Sequence, residues 1–424
     1  MPVPDTIPAP AHALAPVQVA QAPNAPTGID RLRAELHGWL FDLALPFWST
    51  TGLDRPAPDG RFRGACEHLS VTGTPVHPGF KRMRVQARQL YVFSEAAMHG
   101  VPGAGAIAED LHRFMSRTGA ADDGGWARRL DRDGNVLDPA NDLYDLAFVL
   151  FSLAHLHRLT GDPEPLRQAE RTLVFLRRRM ARPSGGFANV DPPDNGWRQQ
   201  NPHMHLLEAA LALFETSRDE RWAVLATELV ALFRTVFLDP DSGTLGEYFT
   251  PAWRRAAGID GDKVEPGHHA EWIWLLDQHQ SLTGEPTGDL IRPLDALCLG
   301  HGTGPETGLV RDEIGRDGSL RLGSSRLWPQ TEMLKAQCVL HRAALSRTDR
   351  TDAQNRLAAI ERTGGNLLTR YLVGAAGGVL PPGTWIDQLD PFGRPAIDRI
   401  PTSSFYHIMS AWVELDRLQP APNE

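Results

Sequence analysis

The chain has 424 residues, 42% of them hydrophobic, enough to bury a large core in one barrel-sized domain or in two or three smaller ones. Its 43 Lys and Arg against 52 Asp and Glu leave a formal charge of −9, which speaks against nucleic acid as a partner. No stretch of about 18 uninterrupted apolar residues offers a membrane span, and the three cysteines, Cys66, Cys298 and Cys338, are too scattered for a disulfide framework or a thiolate zinc site, which fits a reducing, cytoplasmic compartment.

Residues 1–28 are mostly Ala, Pro and Val. They lack a basic n-region and prolines interrupt any apolar h-region, so they read as a disordered tail rather than a signal peptide. The ordered domain is expected over 29–424. Helical patterns then follow one another: 29–49, 81–98, 105–117, 141–159, 163–181, 202–216, 219–237, 267–282, 286–299, 328–345, 352–371 and 402–418. Asn141-Asp142 is N-cap chemistry, and Gly161 closes the same helix. The basic run Arg177-Arg178-Arg179 lies in a helical pattern and reads as a solvated face. Gly124-Gly125-Trp126, Gly185-Gly186-Phe187 and Gly377-Gly378-Val379 each follow a helix closely and predict tight hairpins, a weak repeat of shape rather than of sequence. Twelve helices in consecutive pairs, without strand–helix alternation, argue against an open α/β sheet. The pattern is compatible with a closed double ring of helices, an (α/α)6 barrel, and with an irregular helical array or solenoid.

Five segments place polar and aromatic residues inside apolar helical patterns. They are Arg84 to Tyr91, Asn201 to Glu208, Glu265 to Trp274, Trp328 to Glu332, and Tyr406-His407. His268 and Glu271 are three apart and share a helix face. A carboxylate there would fix the imidazole tautomer and make His268 a general base; alternatively, His268 caps the helix and Glu271 pairs with it. His205 and Glu208 repeat that spacing, while His203 points elsewhere. Metal binding by His203, His205, His268 and His269 is disfavoured: His-Glu-x-x-His is absent, and Pro266-Gly267 interrupts the helix that a Glu-x-x-His motif needs. Arg88, on a helix that reads as buried, is either a clamp for a sugar or enediolate oxygen or half of a structural ion pair. Trp272, Trp274 and Trp328 offer faces for stacking a sugar ring, or fill the core. Glu332 shares a face with Trp328 and is placed to accept bonds from sugar hydroxyls. Signatures of nucleotide binding or serine hydrolysis are missing.

These segments, in this order from residue 87 to 407, resemble the N-acylglucosamine 2-epimerase family. The matching stretches are Ala87-Arg88-Gln89-Leu90-Tyr91, Asn201-Pro-His-Met-His205-Leu-Leu-Glu-Ala209, Glu265-Pro-Gly-His268-His-Ala-Glu271-Trp272, Trp328-Pro-Gln-Thr-Glu332 and Tyr406-His407. The resemblance implies an all-α fold, a single (α/α)6 barrel with short loop hairpins, and a metal-independent mechanism without cofactor. It implies His268 and His407 as the acid/base pair, and Arg88, Asn201, His205, Glu271, Trp328 and Glu332 as substrate contacts. The stretch 401–405 departs from relatives that carry an extra aromatic before the last histidine, which disfavours disaccharides. The expected activity is interconversion of a free aldohexose and ketohexose, D-mannose and D-fructose foremost, through a cis-enediolate. The alternatives are 2-epimerisation of mannose/glucose or of an N-acylated hexosamine and, more distantly, an inverting glycosidase using Glu271 and Glu332. The expected partner is a small sugar, with no nucleic acid and no membrane, in a monomer or homodimer.

Overall fold

The computed structural model describes residues 28–55, 60–193, 196–374 and 380–418; residues 1–27 of the expected tail and the Gly377-Gly378-Val379 glycine pair lie outside the described residues. Twelve long helices alternate along the described chain. We number them α1 (29–48), α2 (Met83–Met98), α3 (Ala104–Thr118), α4 (Leu143–Thr160), α5 (164–180), α6 (Gln200–Ser217), α7 (220–237), α8 (Pro266–Thr283), α9 (288–302), α10 (Leu327–Ser346), α11 (350–371) and α12 (Phe405–Asp416).

The even-numbered helices form an inner ring. Each packs on the next, and α12 returns to α2, so the ring closes. The odd-numbered helices form the outer layer, each against the inner helix that follows or precedes it, with α1 closing on α11 and α12. Composition dictates the partition. Inner helix α4 is buried from Leu143 to Leu156 apart from half-buried Tyr144. Outer helix α3 buries Ala104, Ile107, Ala108, Leu111, Phe114 and Met115, a single stripe at helical spacing. This double ring is the (α/α)6 barrel; the alternative of an open array is excluded by its closure.

A short strand precedes every inner helix, and each pairs antiparallel with a strand that follows an outer helix: Lys81–Arg82 with Arg129–Leu130, Asn141–Asp142 with Val190–Asp191, Arg198–Gln199 with Tyr248–Phe249, Lys263–Val264 with Glu313–Gly315, Ser325–Arg326 with Gln388–Leu389, and Arg399–Pro401 with His68–Ser70. Residues 81–82 and 141–142, expected as first helical residues, are strand instead; the sequence pattern, tuned to helices, passes over such two-residue ladders. Thr402–Ser404, expected as helix, is a 3-10 turn leading into α12.

The weak repeat becomes explicit in the hairpins after the outer helices. Isolated bridges close each of them, Ala120 with Trp126 and Ala181 with Phe187 among them, around the predicted glycine pairs. The fourth residue of four inner helices fastens the preceding hairpin. Gln86 binds Ala65, His203 Nε2 accepts from Phe187 N at 3.0 Å, His269 Nε2 accepts from Leu245 N at 3.1 Å, and Gln330 binds Val310. Gly186 lies at φ +62°, and a Cβ there would meet His203 Nε2 at 2.9 Å, so only glycine permits this fastening. His203 and His269 therefore serve the scaffold.

No helix among the described residues is long and apolar enough to cross a membrane. Cys66, Cys298 and Cys338 are buried and unpaired.

Candidate active site

The starts of the inner helices converge on a cavity of about 590 Å³. Its wall includes Arg88, Asn201, His205, His268, Glu271, Trp328 and His407, seven of the eight residues expected from the sequence. The eighth, Glu332, is fully buried behind His407. It therefore orients a histidine instead of offering its carboxylate to a hydroxyl.

One register explains the convergence. Arg88, Phe148, His205, Glu271 and Glu332 are each the sixth residue of their inner helices. They form one layer across the barrel. The Arg88 guanidinium lies 4.0 Å from the Phe148 ring centroid, the Phe148 and His205 rings are 4.5 Å apart, and His205 Nδ1 is 3.7 Å from Glu271 Oε1. Above the layer stand the second and third residues: Asn201, His268, Trp328 and His407. Gly267 is obligatory for this packing, since a Cβ there would meet the Trp328 ring at 2.6 Å.

His268 does not pair with Glu271, as its i, i+3 spacing suggested. Its Nδ1 lies 2.9 and 3.0 Å from the two carboxylate oxygens of Glu247. Glu247 is held in turn by the Gln200 amide at 3.0 Å, and Gln200 accepts from Trp272 Nε1 at 2.8 Å. Burial works against a charge on His268, but the carboxylates of Glu247 and Glu265 outweigh it, and its pKa is raised. Glu265, itself lowered to about 2 despite burial, draws its charge stabilisation from His268, Arg326 and Lys263.

His407 is the opposite case. Burial lowers its pKa to about 4, although Glu332 Oε1 sits 2.8 Å from its Nδ1. Near neutral pH this ring is uncharged, donates Nδ1–H to Glu332 and presents Nε2 as an acceptor. The Trp328 ring packs against both histidines, its centroid 5.0 Å from that of His268 and 5.8 Å from that of His407. Two imidazoles of one cavity are thus pushed toward opposite protonation states.

Glu271 is raised well above the usual carboxyl range by burial and by the negative charge of Glu332, so it is a neutral acid with a proton to donate. His205 Nδ1 pairs with Glu208 at 2.9 Å, as its spacing predicted, and Tyr406 Oη donates to the other Glu208 oxygen. Arg88 donates to Tyr144 Oη at 2.7 Å and to Ser403 O at 3.3 Å, and has no carboxylate at ion-pair distance among the described residues. The ion pair of this helix belongs to Arg84, with Asp145 at 3.0 Å. Arg88 Nε, Asn201 Oδ1 and Glu271 Oε1 are buried without a hydrogen-bond partner. All three residues line the cavity, where such atoms are available to a bound molecule. The six inner-helix N-termini also direct their positive ends toward the cavity, a field that favours negative charge developing there.

Two groups bring metal-ligand types together, His205 with Glu208 and Glu271, and Glu247 with Glu265 and His268. Their atoms are engaged with one another and with Arg326, Lys263 and Tyr406, a donor set used for hydrogen bonds and ion pairs. Sequence reasoning missed Glu247, Tyr144, Arg326 and Asp387, all on the wall or behind it. They come from loops, the strand before α10 and the first turn of α4. Only Tyr144 had a helical register that could have announced it.

The profile of the N-acylglucosamine 2-epimerase (GlcNAc 2-epimerase) family matches residues 64–411. The chain is 34% identical over 388 residues to a protein of Rhizobium meliloti named Mannose-6-phosphate isomerase, covering 90% of this chain and 96% of that one. It is 27% identical over 260 residues to D-mannose isomerase of Thermobifida fusca, 56% of this chain and 63% of that one. In fold it is similar to cellobiose 2-epimerase from Bacillus thermoamylovorans, with a TM-score of 0.79, 20% identity, and coverage of 92% of this chain and 100% of that one.

Proposed function

Because this chain belongs to the N-acylglucosamine 2-epimerase family and is a sugar isomerase or epimerase, we propose that it interconverts D-mannose and D-fructose by proton transfer between His407 and the sugar. The observation that carries this reading is the pair of histidines packed on Trp328 in one cavity, one favouring its proton and the other refusing it.

The steps follow from those protonation states. In ring opening, His268 gives its proton to the ring oxygen and regains one from the C1 hydroxyl as that carbon becomes a carbonyl. The carbonyl acidifies the C2 proton, and His407 Nε2 removes it. The electron pair moves onto the carbonyl oxygen, and the cis-enediolate forms facing Arg88 and the neutral acid of Glu271. His407 then delivers the proton to C1 while the O2 proton passes to O1, which leaves the ketose. Asn201, His205 and Trp328 orient the open-chain sugar.

A second outcome is available to the same residues. If His268, which holds its proton, addresses the opposite face of the sugar, it can return a proton to C2 there, which yields the 2-epimer. The relative named Mannose-6-phosphate isomerase favours a second substrate form, the 6-phosphate. Against it, three of the four cavity arginines, Arg82, Arg326 and Arg399, are already paired with Glu67, Glu265, Asp312 and Asp398, and the fourth, Arg88, faces the reacting oxygens in this reading, which leaves a neutral hexose the better fit.

The test is incubation with mannose, mannose 6-phosphate and glucose in deuterated water, read by proton NMR. Fructose from mannose is the expected product. Full turnover by both His268→Asn and His407→Asn would sink the assignment of acid and base.

A further inference from the structure

Lys335 stands three residues after Glu332 on α10, with no solvent exposure. A lysine this buried is rare and costs several kcal/mol of desolvation unless it is paired. Its Nζ lies 2.7 Å from Glu332 Oε2 and 3.8 Å from the centroid of the Trp274 ring. The opposite oxygen of Glu332 is the one that faces His407 Nδ1. Lysine, carboxylate and imidazole thus form a line from the closed interior of the barrel to the cavity.

We propose that Lys335 is a positioning residue for proton transfer: it keeps Glu332 a carboxylate, and Glu332 in turn holds His407 as the Nδ1–H tautomer with Nε2 free to take a proton. The role of His407 as base rests on the reading above; its tautomer does not. A lysine serving only to fill space at this depth would be better replaced by an apolar side chain of the same length.

The surrounding charges leave Lys335 as the cation nearest Glu332. Arg88 on α2 faces His407 and His205; His205 on α6 is paired with Glu208; Glu271 on α8 is neutral; Tyr406 on α12 donates to Glu208. Without Lys335, the isolated Glu332 carboxylate would take up a proton. A carboxylic O–H directed at Nδ1 requires Nδ1 to accept, so the ring proton moves to Nε2, and the cavity loses its base. The base returns only at a pH high enough to ionise Glu332 again.

The experiment uses the full chain with ¹⁵N-labelled histidine and the variants Lys335→Met, Glu332→Gln and Glu332→Gln/Lys335→Met. Ring ¹⁵N shifts of His407 read the tautomer without sugar, and kcat/KM against pH reads the base. In Lys335→Met the expected result is an Nε2–H ring at pH 6 and an acid limb moved up by about three pH units from its place near 4, a loss of about tenfold at pH 6 that recovers as the pH rises. An unchanged tautomer, or a rate lowered by one factor at every pH, overturns the proposal. If Lys335→Met does not fold, the two Glu332 variants decide, since the double variant leaves no ion unpaired. They are expected to share one rate and one pH profile, and a further loss in the double variant overturns the proposal. A changed tautomer in a chain whose parent turns over no sugar would sink the isomerase reading and leave the role of Lys335 standing.

Discussion

Glu332 accepts the Nδ1 proton of His407 at 2.8 Å from a place with no solvent exposure. Glu247 stands in the same relation to His268, 2.9 Å from its Nδ1, from a loop near the mouth. The two carboxylates have the same job and opposite outcomes. Around His407 burial prevails and the ring stays neutral, whereas around His268 two carboxylates act together and the ring holds its proton.

A pH profile follows. The base His407 is lost only when the pH falls through about 4. The acid His268 is lost as the pH rises through a value above 6.5. We expect kcat/KM to be bell-shaped with limbs on those two sides. A maximum on the alkaline side of pH 9, read in a buffer series, would contradict the assignment.

Glu247→Gln removes the nearer of the two charges that raise His268. The basic limb should move to lower pH, with the acid limb unchanged. At pH 8 the loss should exceed the loss at pH 6 by about tenfold, the effect of about one pKa unit. Equal losses at both pH values would mean that Glu247 only holds the ring in place.

Arg88→Met should lower kcat by about 10²–10³, the usual effect of removing one donor from a developing oxyanion. KM for mannose should change far less. A rise in KM at constant kcat, measured by initial rates, would assign Arg88 to ground-state binding instead.

His203→Leu should cost stability and spare the rate. The Phe187 N–H loses its acceptor in a buried place, at about 1–3 kcal/mol. Burial lowers His203 to about 4 in the folded chain, below its ordinary 6.5. The stabilisation it gives is complete above pH 6.5 and declines as the pH falls toward 4, at up to about 1.4 kcal/mol per pH unit. Thermal melts should therefore show a lower Tm at pH 8 and a shallower acid decline in the variant. A steepened acid decline would contradict this.

The helices were legible because twelve apolar patterns of the right period recur, and their termini carry their own signals. Asp142 caps α4 by accepting from Tyr144 N and Asp145 N, and Gly161 ends it at φ +69°. The short strands were not legible, because two residues cannot set a period. In the site, His205 with Glu208 could be read from spacing since both ride one helix. His268 with Glu247 could not: the partners are 21 residues apart, and the loop between them follows no register. The i, i+3 rule pointed instead to Glu271, whose side chain turns to the barrel axis beside His205. Glu332 was found but misplaced, because a shared helix face does not reveal depth.

The fourth and sixth residues of an inner helix lie about 200° apart around its axis. At the fourth, Gln86, His203, His269 and Gln330 fasten hairpins; at the sixth, Arg88, His205 and Glu271 line the cavity and Glu332 braces His407 from behind it. Change is thereby partitioned. A change at one of these sixth residues reaches the site without disturbing the fastenings that keep the barrel closed. Substitutions at the sixth positions should therefore register in the rate, and substitutions at the fourth positions in the stability.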